Sequence, residues 1–222
     1  MSGPRQPLFP LIRRVAEPTT ALLLKTNVTP NQVTWASIIM GLAAAAALLP
    51  GTRNGDIACG LLFVASYVLD NCDGEIARTK NLRSRYGAIL DTTGDFVVHV
   101  AFFALLGIAL WQRTGEDFWL WCGGVATLGN VINYVIGRID DANMPRASTS
   151  SEDEGFKYPA GGDSIGIWLA FIFRELARAD FCFIVLGLGF FNQLWVLLPL
   201  GALGAQAYWI AYFAVRKEHY HV

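Results

Sequence analysis

Six stretches of the chain carry apolar residues in runs approaching or exceeding the roughly 20 residues that a bilayer-spanning helix requires. They cover 33–49, 56–80, 86–111, 118–139, 165–191 and 194–215. Three of them are uneven. The second is apolar through 61–69 and turns polar toward Lys80; the third is polar at its start and apolar after Phe96; the fifth is polar in its first half. A tight turn at Asn192 and Gln193 separates the last two. Ahead of the first run, 8–25 sets Leu8, Leu11, Ile12 and Val15 around Arg13 and Arg14, the pattern of an amphipathic helix lying in a membrane interface. Thr29-Pro30-Asn31 then opens the first run, with Thr29 suited to cap a helix and Pro30 to its first position. The pattern predicts an all-α integral membrane protein of six transmembrane helices, preceded by an N-terminal interfacial amphipathic helix.

Charge placement orients this arrangement. If both termini are cytoplasmic, all but Arg53 and Arg113 of the 17 Lys and Arg residues fall on the cytoplasmic side, the bias expected of membrane proteins. The chain is only 16% charged, against about a quarter in soluble domains. The formal net charge of -1 excludes bulk attraction to nucleic acid. Cys59, Cys72, Cys122 and Cys182 are scattered, without metal-ligand spacing or a disulfide framework, and read as small buried residues. The N-terminus lacks the pattern of a cleavable signal peptide. One sizeable polar connection, 140–162, carries the acidic run Glu152, Asp153 and Glu154 and reads as a solvated loop. No internal repeat or second domain is evident, so 1–222 reads as one membrane domain with a juxtamembrane segment at 1–31.

The chemistry concentrates in 70–95, DNCDGEIARTKNLRSRYGAILDTTGD, which fits D-x2-D-G-x2-A-R-x8-G-x3-D-x3-D at every position. Asp70 and Asp73 are three residues apart and share a helix face; Asp91 and Asp95 are four apart and share a face of the next helix. A turn near 81–85 predicts that these helices run antiparallel as neighbours, so that four carboxylates meet in one pocket at the cytoplasmic ends of the second and third spans. Each ionised group at membrane depth costs about 2.5–3.5 kcal/mol or more on insertion scales. Cations relieve that cost, and an all-oxygen donor set points to Mg²⁺ or Mn²⁺. Two such ions about 3.5–4 Å apart would clamp both sides of an in-line displacement at phosphorus. Gly74, Ala77 and Gly87 remove side-chain bulk from the same faces. Arg78, one turn beyond Gly74, can pair with phosphate oxygens. Capping of helices by these aspartates, or pairing with Arg78, Lys80, Arg83 and Arg85, would explain one carboxylate pair but not two with these offsets.

This stretch resembles the signature of the CDP-alcohol phosphotransferases (CDP-alcohol phosphatidyltransferases), and the Thr-Pro-Asn entry to the first span is similar as well. The resemblance implies roles. Asp70, Asp73 and Asp91 would be metal ligands, and Asp95 would bind a second metal and act as general base on an acceptor hydroxyl. Gly74, Ala77, Arg78 and Gly87 would line the CDP site, with Asn31 reaching the nucleotide. The implied reaction moves a phospho-alcohol group from a CDP-alcohol, either CDP-diacylglycerol or a small CDP-alcohol, onto an alcohol acceptor with release of CMP. It also implies a homodimer working at the cytoplasmic face.

Weaker signals lie outside the motif. Arg174 and Arg178, four apart in the polar half of the fifth span, are candidates for an acceptor or donor phosphate; snorkelling or pairing with Glu175 and Asp180 explains them equally well. His99, four residues past Asp95, reads first as a satisfied core histidine. Two rival functions share the aspartates. An intramembrane Mg²⁺-dependent prenyltransferase would release pyrophosphate, and a cation transporter would move metal without nucleotide turnover; clustering at one membrane face rather than the midplane counts against the transporter.

Overall fold

The computed structural model of the protein describes residues 11–143 and 180–218, and these are helical apart from short turns. We number the helices α1 (Leu11–Leu23), α2 (Pro30–Ala46), α3 (Arg53–Thr79), α4 (Arg85–Thr114), α5 (Phe118–Asn143), α6 (Phe181–Phe190) and α7 (Leu197–Glu218), with a 3₁₀ turn at Leu194–Val196 before α7. Three described helices are long and apolar enough to cross a membrane: α3, α4 and the 23-residue stretch Phe118–Asp140 of α5. Of the expected fifth span only the last residues, from Asp180, lie in the described part; the acidic run and most of the polar loop lie outside it.

Helix boundaries follow local chemistry. Thr52 caps α3 by accepting from the Gly55 N–H at 3.2 Å, and Ser84 caps α4 by accepting from Gly87 at 3.0 Å. The expected cap at Thr29 forms with a reciprocal bond: the Gln32 side chain accepts from the Thr29 N–H at 3.0 Å. Asn81 (φ 56°) and Asn192 (φ 56°) take the left-handed conformation in the α3–α4 and α6–α7 turns, where an asparagine tolerates what bulkier residues resist.

The packing corrects one expectation. α3 and α4 do run antiparallel, but they scarcely touch backbone to backbone; α2 packs closely against both. Two glycines make this possible. A Cβ on Gly41 would lie 2.7 Å from Val98 Cγ1 and 3.0 Å from Ser66 Oγ, and one on Gly94 would run into Ile38. The Ser66 hydroxyl also donates to the Ser37 carbonyl at 2.8 Å. α3 and α4 therefore meet through long side chains, including the Phe63 and Phe102 rings 5.1 Å apart. Beyond this trio, α5 packs on α4 and α7, and α6 packs on α3.

α1 presents Ile12, Ala16 and Thr20, one stripe at helical spacing, as its buried side, while Arg13, Arg14 and Glu17 are exposed. It docks against α3, with Thr20 donating to the Cys72 sulfur at 3.1 Å. Its first N–H groups, on Leu11 and Ile12, donate to the two carboxylate oxygens of the fully buried Asp180 at 2.9 and 2.8 Å. This carboxylate caps a helix from far along the chain.

The end of the molecule remote from the motif is closed by charge. Arg113, near the end of α4, holds Asp56, at the start of α3, through two bonds of 2.9 and 2.6 Å, and Asp56 is 0% exposed. Arg53 donates to the Phe190 carbonyl at 3.0 Å, bringing α6 to the same end. These are the two basic residues set apart by the charge pattern. Removing one partner strands the other. Asp56→Ala is expected to destabilise the protein by about 3–5 kcal/mol, whereas Asp56→Leu combined with Arg113→Met is expected to cost far less. Thermal unfolding of the detergent-solubilised variants checks the contrast.

Candidate active site

The two aspartate-bearing helices bring three of the four predicted carboxylates together. Asp70, Asp73 and Asp91 each place an oxygen within 4.8 Å of the others. Asp95, one turn further along α4, is not one of the three and is the most exposed of the four. Asp73 is only 6% exposed and accepts a hydrogen bond from the Thr34 hydroxyl of α2, whose oxygen also lies 3.1 Å from the Pro30 carbonyl. α2 thus aims one carboxylate of the cluster directly. Lys80 is engaged elsewhere, donating to the carbonyls of Thr26 and Val28 at 2.8 and 3.1 Å.

Beside the cluster lies a cavity of about 470 Å³. Asn31, Gly74, Ala77, Arg78 and Gly87, the residues expected to receive a nucleotide, all line it, together with Asp73 and Asp91. The close approach at Gly87 has a visible reason: a Cβ there would lie 3.0 Å from Asn31 Oδ1 and 3.1 Å from Ser84 Oγ. Arg78 folds back so that its Nη1 lies 3.5 Å from where a Cβ of Gly74 would sit. Any side chain at either position would enter the cavity.

The lining carries both signs of charge. Asp73 and Asp91 contribute carboxylates, with Asp70 clustered beside them. Arg78 and Arg83 line the cavity as cations, and the first turns of α2 (Pro30, Asn31) and α4 (Ser84, Gly87) contribute helix N-termini, whose N–H groups favour anions. A cavity lined by both carboxylates and anion-binding groups suits a divalent cation next to a phosphate group. The all-oxygen donor set, held partly by a hydroxyl from a third helix, has the chemistry of a hard-cation site.

Sequence reasoning missed Thr34, Leu82, Arg83, Ser84 and Ala88 as lining residues. Thr34 and Ser84 were within reach of it: each lies three residues from a recognised position, Asn31 and Gly87, and one helical turn is enough to share a face. Arg174 and Arg178 lie outside the described residues. His99 is satisfied, as expected, through its Nδ1 to the Asp95 carbonyl at 2.8 Å and its Nε2 to the Tyr67 hydroxyl at 3.0 Å. None of the four cysteines is in a disulfide; Cys59, Cys72 and Cys182 are buried.

Comparison with known proteins bears on the same residues. A family model described as CDP-alcohol phosphatidyltransferase matches residues 27–215. The chain belongs to the CDP-alcohol phosphatidyltransferase family. Among characterised relatives, it is 33% identical over 122 residues to the bifunctional IPC transferase and DIPP synthase of Thermococcus kodakarensis, covering 55% of this chain and 26% of that protein. It is 33% identical over 138 residues to the phosphatidylinositol phosphate synthase of Streptomyces avermitilis, covering 60% of this chain and 54% of that protein. The similarity thus spans about half or less of the length of these relatives. The fold is similar to that of the phosphatidylinositol phosphate synthase of Mycobacterium tuberculosis, solved with CDP-DAG bound, at a TM-score of 0.53 and 19% identity over 87% of this chain and 90% of that one. Membership of this family, with several long apolar helices, makes the chain a membrane protein.

The hydroxyl on Asp73 gives the site a direct test. Thr34→Val keeps the shape and removes the donor, and is expected to weaken Mn²⁺ binding by about tenfold or more, as loss of an orienting partner does in metal sites. Titration of the purified protein with Mn²⁺, followed by electron paramagnetic resonance of the free ion, measures it.

Proposed function

We propose that the protein transfers a phospho-alcohol group from a CDP-alcohol to an acceptor hydroxyl with release of CMP. The observation that carries this reading is a cavity lined by members of the acidic cluster together with the residues of the Gly, Ala-Arg and Gly offsets. CDP-diacylglycerol is the proposed donor, because the Mycobacterium tuberculosis neighbour was solved with CDP-DAG bound. The names of the relatives support an acceptor of the inositol phosphate class.

The proposed frame is one membrane domain over 1–222 with six spans, both termini and the cavity on the cytoplasmic side, and 1–31 as the interfacial segment. The one-sided placement of basic residues supports it, as does the exposed charged face of α1. A homodimer is part of the same reading.

Asp70, Asp73 and Asp91, with Asp95, would hold two Mg²⁺ or Mn²⁺ ions. Bound there, the ions would neutralise the diphosphate and the oxygen that departs with CMP. The residues of the chain do the rest. Asn31, Gly74, Ala77 and Gly87 shape the bed for the nucleotide, and Arg78 pairs with its phosphate oxygens. Asp95 takes the proton of the acceptor hydroxyl. The resulting oxygen bonds to the β-phosphorus as the bond to the bridging oxygen breaks, and CMP leaves with that electron pair. Its phosphate charge is balanced beside Arg78. Arg174 and Arg178 are proposed to hold the phosphate of the acceptor.

Purified protein supplied with Mn²⁺ or Mg²⁺, CDP-diacylglycerol and inositol phosphate is expected to release CMP. Asp91→Asn and Asp95→Asn are each expected to abolish release while the protein keeps its helical circular dichroism spectrum. Full activity of either variant overturns the mechanism. Pyrophosphate release from a prenyl donor, or metal flux into vesicles without nucleotide turnover, overturns the reaction class.

A further inference from the structure

α3 and α4 scarcely touch backbone to backbone, so side chains that cross between these two helices help set the spacing of the acidic pairs. The crossing at Asp56 and Arg113 lies at the far end. The one nearest the aspartates is Tyr67 of α3 and His99 of α4, whose Oη and Nε2 are 3.0 Å apart. His99 Nδ1 lies 2.8 Å from the Asp95 carbonyl. A carbonyl only accepts, so Nδ1 carries the proton, and in the neutral imidazole Nε2 then accepts from the Tyr67 hydroxyl. Tyr67 comes three residues before Asp70, and His99 four residues after Asp95. The contact therefore lies one turn below an acidic residue on each helix.

The imidazole has little freedom to turn. Phe63 meets it edge-on at 6.2 Å, and Phe181 tilts against it at 5.9 Å. Phe181 follows Asp180, which is locked to the N-terminus of α1. On the opposite side, Gly94, next to Asp95, rests on Ile38 of α2. The turn carrying Asp95 is thus gripped from α2 by direct packing and from α3 by one hydrogen-bonded pair.

We propose that Tyr67 and His99 act as a strut that sets the reach of Asp95 toward the acceptor hydroxyl. They are positioning residues, and neither lines the donor cavity. The proposal rests on the reading of Asp95 as general base. A misplacement of about 1 Å at a reacting group can cost on the order of a hundredfold in rate. A tyrosine that merely filled space would lose nothing on becoming phenylalanine, because the ring packing on Phe63 would persist.

Tyr67→Phe, assayed by CMP release, is expected to lower kcat about tenfold while the KM for the CDP-alcohol stays within about twofold of the parent, since an orienting loss falls on the chemical step. The solvent deuterium isotope effect on kcat is expected to rise, and the melting temperature to move by no more than a few degrees. His99→Leu breaks both bonds and is expected to lose more, and adding Tyr67→Phe to it should change nothing further. An unchanged kcat in Tyr67→Phe overturns the strut, as does a matching loss in folded protein or a shift confined to KM. Asp95→Asn separates the two claims. If that variant is active, the base assignment itself has failed; if it is inactive while Tyr67→Phe is not impaired, only the strut has.

Discussion

Carboxylates do not gather by choice in a medium of low dielectric constant. Asp70, Asp73 and Asp91 nevertheless hold oxygens within 4.8 Å of one another between helices built for a membrane. At that separation two bare charges repel by about 3 kcal/mol at an effective dielectric constant of 20, and desolvation adds to the penalty. The rest of the site is arranged around this unfavourable contact. Thr34 donates to the most buried of the three. Two helix N-termini and two arginines face the cavity alongside them. A cation between the carboxylates would relieve that repulsion, and a cation site next to anion-binding groups suits a metal-bound phosphate.

The two ends of the helix trio solve different problems. At the far end, Arg113 closes α3 onto α4 through a buried ion pair, and Arg53 ties in α6. At the site end, the first turns of α2 (Pro30, Asn31, Thr34) line the cavity together with residues of α3 and α4. A tightly packed α3–α4 pair would have brought the acids together with no room for a ligand. Interposing α2 keeps the carboxylates convergent and leaves a bed for the substrate, and it makes a third helix responsible for the geometry of Asp73.

Much of this was legible from residue order, because the motif is local. Spacings of three and four residues place Asp70 with Asp73 and Asp91 with Asp95 whatever the tertiary structure, and Gly74, Ala77, Arg78 and Gly87 inherit the same faces. The turn near 81–85 and the cap at Thr29 follow from short-range chemistry as well. What sequence reasoning could not supply depends on contacts between distant segments. Nothing in the order of residues says that Gly41 of α2 beds against Val98 or that Gly94 of α4 receives Ile38 of α2, so residue order alone makes α3 and α4 direct neighbours. Asp180 reads from the sequence as a partner for an arginine, whereas its oxygens accept from the N–H groups of Leu11 and Ile12, 169 and 168 residues away. His99 was expected to be satisfied, but its partners, a carbonyl one turn back and a tyrosine on another helix, come only with the fold.

The central claim is that the three converging carboxylates are a cation site. Crystals grown or soaked with Mn²⁺, measured at an X-ray energy where manganese scatters anomalously, test it most directly. The account predicts an anomalous peak in contact with Asp70, Asp73 and Asp91 that is lost in Asp73→Asn. An empty cluster at saturating Mn²⁺, with the three carboxylates still drawn together, would contradict it.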